Sequence, residues 1–192
     1  MGIKTILVLI SLAVLDASAR PISYSGGHTL MMFSDNMKDS IYYHFSPTYK
    51  FSVGIEAIKD HYFDDNYSFL RGTYLVNRKN TQHSQRNLYI QSGISIEDIS
   101  SNFYGIHGDW ETRRWFLGFG LKKLSNKTID YDQQHAQLGV APYLGEYGDL
   151  HTWIMIKTKK NSLNGDWSTY PVFKFFKGNA LIEFGYNNKT EW

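Results

Sequence analysis

The sequence predicts an all-β chain, most simply a transmembrane antiparallel up-and-down β-barrel of about 12 strands. Three observations carry that expectation. Apolar and polar residues alternate with period two in segment after segment from residue 28 to residue 187. Most segments run roughly ten to thirteen residues, where a soluble strand averages about five or six and a tilted membrane strand needs about nine to eleven. Small residues recur on the polar face, where a barrel interior is crowded, and aromatic residues gather near segment ends, as membrane-interface girdles require.

Taken in chain order, the first element is not part of the barrel. Met1 to Ala19 reads as a secretory signal: Lys4 supplies a positive start, Ile6 to Leu15 an apolar stretch too short to span a bilayer, and Ala17-Ser18-Ala19 a cleavage site. Residues 20–192 then form one domain, with no linker, no composition shift and no later apolar run of about eighteen residues that would make a transmembrane helix. Strands are expected at 28–35, 39–46, 49–60, 66–77, 86–97, 102–112, 113–124, 132–145, 150–161, 166–177 and 179–187.

Their faces separate cleanly in several places. Tyr49, Phe51, Val53, Ile55 and Ala57 oppose Lys50, Ser52, Gly54 and Glu56. Leu88, Ile90, Ile94 and Ile96 oppose Tyr89, Gln91, Gly93, Ser95 and Glu97. Trp115, Leu117, Phe119 and Leu121 oppose Arg114, Phe116, Gly118, Gly120 and Lys122, and Ala180, Ile182, Phe184 and Tyr186 oppose Leu181, Glu183, Gly185 and Asn187. Segments 66–77 and 150–161 alternate less cleanly. In a barrel the bulky set faces lipid and the small or charged set faces the lumen. Tyr49, Tyr67, Trp110, Trp115, Trp153 and Tyr186 are the expected girdle residues.

Ser46-Pro47-Thr48 and Lys177-Gly178-Asn179 suit tight periplasmic turns, while 61–66 and 125–132 suit longer extracellular loops. An even strand number is expected of such barrels. A descending twelfth strand would begin near Thr190, Glu191 and Trp192 and is incomplete here, unless Trp192 is itself a terminal aromatic.

The stretches GDWETRR (108–114), HAQLGVAPYLGEYGDLHTWIMI (135–156) and PVFKFFKGNALIEFGYNNKTEW (171–192) resemble a family of uncharacterised proteobacterial outer-membrane β-barrel proteins often found beside copper and other heavy-metal resistance genes. The resemblance covers most of the chain after the signal. It implies an outer-membrane barrel in a setting of metal stress, and its motifs are structural, with no catalytic signature. Members of the family continue past the position of Trp192 with one more alternating strand.

Composition narrows the function classes. The chain is 42% hydrophobic and 16% aromatic, with 14 Tyr and 12 Phe, and its net charge is +2, so charge gives no case for nucleic acid. It has no Cys, so neither disulfides nor a lipid anchor can supply its stability, whereas a closed hydrogen-bonded barrel can. No nucleophile elbow, phosphate loop, zinc-protease motif or dinucleotide fingerprint is present.

Four constellations have chemistry to weigh. His28, Met31 and Met32 carry imidazole and thioether groups suited to Cu(I), although adjacent Met residues on a strand point to opposite faces. His44 and Ser46 share a face, as in lipid A deacylases, but abut a turn at the periplasmic end. Asp60, His61, Asp64 and Asp65 form an acidic outer loop whose spacing does not match the omptin proteases. His107, Asp109 and Glu111 share one face and can hold a metal or join a charge network. Opposite charges inside a barrel normally pair, because an unpaired buried charge is costly. Glu56, Arg71, Glu97, Glu111, Arg114, Lys122, Lys174 and Glu183 are the expected lumen-lining set.

The expectation is therefore a non-enzymatic, porin-like outer-membrane protein without a cofactor, either a narrow charge-lined channel or an envelope protein linked to metal stress. Its expected partners are outer-membrane lipid, lipopolysaccharide and the barrel assembly machinery. The alternatives are an outer-membrane hydrolase and a soluble secreted β-barrel ligand binder.

Overall fold

The computed structural model describes residues 21–126, 129–146 and 149–187. The expected signal and the start of a twelfth strand at Thr190 to Trp192 lie outside the described residues. Within them the chain is all-β, and no segment is helical.

Eleven strands follow one another: β1 (Gly27–Ser34), β2 (Lys38–Thr48), β3 (Phe51–Asp60), β4 (Asp65–Asn80), β5 (Ser84–Ser95), β6 (Asn102–Thr112), β7 (Trp115–Ser125), β8 (Asp130–Val140), β9 (His151–Asn161), β10 (Trp167–Lys177) and β11 (Ala180–Gly185). They form one sheet in sequence order. Each pairs antiparallel with its chain neighbours, as local hairpin closure favours. The sheet curls into a half-barrel. Among the described residues β1 pairs only with β2, and β11 only with β10.

The turns are tied by short polar side chains that satisfy free backbone amides. Asp35 Oδ1 accepts from the amides of Met37 and Lys38 at 2.9 and 3.0 Å. Asp60 Oδ1 does the same for Tyr62 and Phe63. Thr112 Oγ1 accepts from Arg114 and Trp115 at 3.0 and 2.8 Å. In the two-residue β10–β11 turn, Gly178 sits at φ 59°, the left-handed region a tight hairpin demands.

Two expected boundaries move for physical reasons, and one strand carries an irregularity. Arg113 and Arg114 form the β6–β7 turn rather than the start of a strand, because the Thr112 hydroxyl folds the chain back there. Strand β8 stops at Val140 instead of running to residue 145, since Pro142 has no N–H to give to a ladder. The connection that results, residues 141–150, is the longest in the half-barrel. It lies at the same end as the tight turns at 49–50, 113–114 and 178–179, against the expectation that the longer loops gather at the opposite end. Strand β4 carries a bulge between Leu75 and Asn77. One extra residue reverses the alternation, so Arg78 rejoins the face of Arg71 and Thr73, which explains the untidy pattern of this segment.

The two faces of the sheet divide as the alternation requires, with bulky apolar residues on the convex side. Trp115, Leu117, Phe119 and Leu121 are 40–50% exposed, and Ile55, Leu70, Ile90, Ile94 and Leu138 about as much. The concave face holds buried Ser40, His44, Ser52, Glu56, Thr73 and Gln91. The concave interior also holds three apolar clusters. Ile58, Phe69, Phe103, Leu124 and Tyr131 pack together toward the β3–β4 turn. Ile22 with Leu75 and Tyr89, and Phe116 with Met155 and Val172, lie toward the opposite end.

Tyr49, Trp110, Trp115 and Tyr186 are exposed, as girdle residues must be. Tyr67 and Trp153 are not: Tyr67 turns inward to donate to Asp60 Oδ2 at 3.0 Å, and Trp153 packs on Phe116. Proximity to a strand end does not fix the face a residue takes. Parity does.

Candidate functional site

The inward face places a charge cluster between the apolar clusters. Register sets it up: Tyr42 lies opposite Glu56, and Gly54 opposite Arg71, which in turn faces Gly93. The glycines make room. A Cβ on Gly93 would meet the Phe103 ring at 2.3 Å, so that ring occupies the space the glycine leaves. Phe103 in turn supports the cations beside it.

Arg71 is the centre of the cluster. Its Nη1 donates to Glu56 Oε2 at 2.7 Å and its Nη2 to Gln91 Oε1 at 2.6 Å. Its guanidinium lies 4.3 Å from the centroid of Tyr42 and 5.6 Å from that of Phe103, within cation–π range. Lys38 Nζ reaches the second oxygen of Glu56 at 3.3 Å. Glu56 is 1% exposed, so both of its oxygens are held by cations. Lys122 enters from β7 and rests 3.7 Å from the Phe103 centroid.

A second group of charges lies on β9 to β11. Lys157 donates to Glu183 at 3.0 Å. Lys159 reaches across the opening to Asp35 at 3.2 Å, joining β9 to the β1–β2 turn. Lys174 sits over Phe116 at 4.5 Å and in the field of Glu183, Glu111 and Asp109. A chain of bonds, Arg78 to Asn87 to Asp109, each 2.7 Å, links β4, β5 and β6 below the first cluster.

Of the expected lumen-lining residues, Glu56, Arg71, Glu111, Lys122, Lys174 and Glu183 therefore stand on the concave face. Arg114 does not: it is exposed in the β6–β7 turn. Glu97 does not either. It follows the end of β5, is exposed, and accepts from the Ser68 amide at 2.8 Å and the Ser95 hydroxyl at 3.0 Å. The Ser68 amide above all holds its carboxyl below the ordinary carboxylate range. Glu97 stands on the rim of a cavity of about 180 Å³ with Tyr67, Phe69 and Tyr131 in its walls. That volume is below the roughly 300 Å³ at which ligand pockets begin.

The proposed copper ligands do not converge. His28 is on the convex face, its ring 4.9 Å from Phe45 and its Nδ1 2.7 Å from the Tyr43 hydroxyl. Met31 lies on the opposite face. Met32 shares the face of His28 but is four residues away, roughly 13 Å along an extended strand. No single ion spans that set.

His44 and Ser46 are both fully buried. Ser46 Oγ accepts from the Ser23 amide at 3.0 Å. Asp60 ties its own turn and binds Tyr67, while His61 Nε2 lies 3.1 Å from Asp39. His107 stacks on Tyr89 at 4.7 Å, and Asp109 accepts from Asn87. Ser46, Asp60, His61, His107 and Asp109 are thus engaged in the sheet's own structure, and among the described residues no hydrogen bond joins His44 to Ser46.

The alternation does not reveal one feature, the entry of residues 21–25. Ile22 is buried against Leu75 and Tyr89, and the Pro21 carbonyl accepts from Ser52 Oγ at 2.9 Å. The segment before β1 thus folds into the concave side and narrows that end. A buried Ile flanked by Pro21 and Ser23 offers no period to read.

Comparison with protein-family models, with curated proteins and with solved structures finds no match to this chain.

Proposed function

We propose that this chain is a non-enzymatic outer-membrane β-barrel protein that forms a narrow, charge-lined passage for small solutes. One observation carries the reading: the sheet is apolar on its exposed face and polar on its buried one. Leaving Trp115, Leu117, Phe119 and Leu121 half in water costs roughly 1 kcal/mol each. The same face recurs on β3, β4 and β5, and the total competes with the whole 5–15 kcal/mol or so that holds a typical domain folded. Hydrocarbon outside the sheet removes that cost, and an antiparallel sheet closed into a barrel satisfies its backbone groups internally in lipid.

The charged middle of the concave face, bounded by aromatic clusters at both ends, supports a constricted passage rather than a wide pore. The expected resemblance to envelope proteins near metal-resistance genes is compatible with this reading. The separation of His28, Met31 and Met32 gives it no copper site.

The test is to express the full chain, fractionate cells, and compare gel mobility of the membrane-bound protein with and without boiling. A faster unboiled band in the outer-membrane fraction, followed by conductance in a planar bilayer, is the expected result. A periplasmic protein that stays soluble without detergent and shows no heat shift would overturn it.

A further inference from the structure

We propose that the cluster around Arg71 is a binding site for a small inorganic anion, of the size of chloride or phosphate, held by Lys122 and Arg71 in the middle of the lumen. The site deepens the passage reading above and rests on it only for the ion's route in.

The argument is a charge count. Three cations, Lys38, Arg71 and Lys122, surround one carboxylate, Glu56. Both oxygens of that carboxylate are already taken, by Arg71 and by Lys38. Lys122 has no ion-pair partner among the described residues, and what it touches is the face of a buried phenyl ring. A ring face is a weak substitute for a counter-charge, worth about 0.5–2 kcal/mol. Lys122 is half-buried, so its ammonium loses part of its hydration with no described carboxylate bonded to it in exchange.

The second, independent observation is an excess of donors. Arg71 Nε has no acceptor among the described residues, although its other two nitrogens do. His44, fully buried and in register with Arg71 through Gly54, has no partner at either ring nitrogen. A neutral imidazole offers one N–H, and the guanidinium only donates at Nε. A small anion supplies both the missing charge and the missing acceptors. A cation would meet three like charges.

The β9–β11 side is the internal control. There Lys157 and Lys159 each have a carboxylate of their own, and Lys174 faces Glu183, Glu111 and Asp109. It calls for no further anion.

The experiment is chloride NMR on the folded full-length protein in a non-ionic detergent. Exchange of 35Cl through a protein site broadens its line in proportion to occupied sites. Wild type is expected to show excess broadening that phosphate competes away. Lys122→Met should lose most of it, about tenfold in affinity or more, while Lys174→Met and Lys123→Met should keep it. Should Lys122→Met not fold, Lys122→Gln serves the same purpose. Broadening that is absent, or that persists unchanged in the folded Lys122 variant, overturns the proposal. The measurement needs only folded protein, so a chain that proves soluble in the fractionation test would sink the membrane reading and leave this one standing.

Discussion

The walls β2–β7 and β9–β11 are built from the same alternation and differ in what their inward residues touch. In β2–β7, Glu56, Tyr42, Phe103 and Tyr89 are almost completely buried, and side chains from four strands meet at Arg71. In β9–β11 the inward charges stay partly wet: the Lys157 and Glu183 side chains are 26% and 27% exposed, and β11 is only six residues long. The contrast teaches that inward polarity alone does not specify a rigid interior. Neighbours on both sides do, and among the described residues β11 pairs only with β10.

The largest expected effect breaks this comparison directly. Glu56→Gln removes the buried carboxylate shared by the part-buried Arg71 and Lys38 and should cost about 3 kcal/mol of stability. Glu183→Gln removes an equally short pair from the wetter wall and should cost less than about 1 kcal/mol. Denaturant midpoints of the two variants against wild type measure both. Equal losses would show that β9–β11 is as tightly organised as β2–β7.

Next in size is a charge on the convex face. Leu117→Arg should destabilise the membrane-inserted protein by about 2–4 kcal/mol if Leu117 lies near the bilayer midplane, and Arg should be tolerated better at exposed Ile99, in the β5–β6 loop. Folding into vesicles, titrated with urea, reads the difference. A Leu117→Arg protein as stable as wild type would mean that water, not lipid, covers this face.

A third test separates the faces by volume. Gly93→Ala places a methyl against the Phe103 ring and should cost about 1–3 kcal/mol, whereas Gly72→Ala meets nothing nearer than 3.7 Å and should be close to neutral. Thermal midpoints of the pair decide it.

Much of this architecture is legible in the alternation. All eleven expected segments are strands, and the convex set Phe51, Val53 and Ile55 against Ser52 and Glu56 is read without a structure, because a pleated strand offers only two faces. Boundaries are less legible where a side chain redirects the chain. Thr112 makes Arg114 a turn residue, and the bulge after Leu75 returns Arg78 to the concave face. The candidate site is legible only in part. Glu56, Arg71 and Lys122 announce themselves as inward charges, but their convergence depends on register across β2 to β7, which no local pattern encodes. That Lys122 ends on Phe103 rather than on a carboxylate follows from the space Gly93 leaves for that ring.

The smallest expected effect concerns the opening between the two walls. Asp35, in the β1–β2 turn, receives Lys159 from β9 and the amides of Met37 and Lys38. Partial burial raises its carboxyl, but the Lys159 charge and the two amides outweigh it, so the group sits below its ordinary value of 3.8. A carboxyl depressed in the folded state stabilises at pH above its unfolded value and loses that contribution as pH falls through the folded one. The tie between β9 and β1 should therefore persist at neutral pH and weaken below about pH 4. Asp35→Asn separates the charge from the turn, since an amide oxygen can still accept from Met37 and Lys38 while losing the ion pair. The variant should be weaker than wild type by at most about 1 kcal/mol at neutral pH, as partly exposed pairs are, with the difference closing in acid. Hydrogen exchange at the Ser34 and Lys159 amides, followed from neutral pH to pH 3, reads it locally. Protection that is the same in both proteins at every pH would mean that the turn, and not the charge, holds the two walls together.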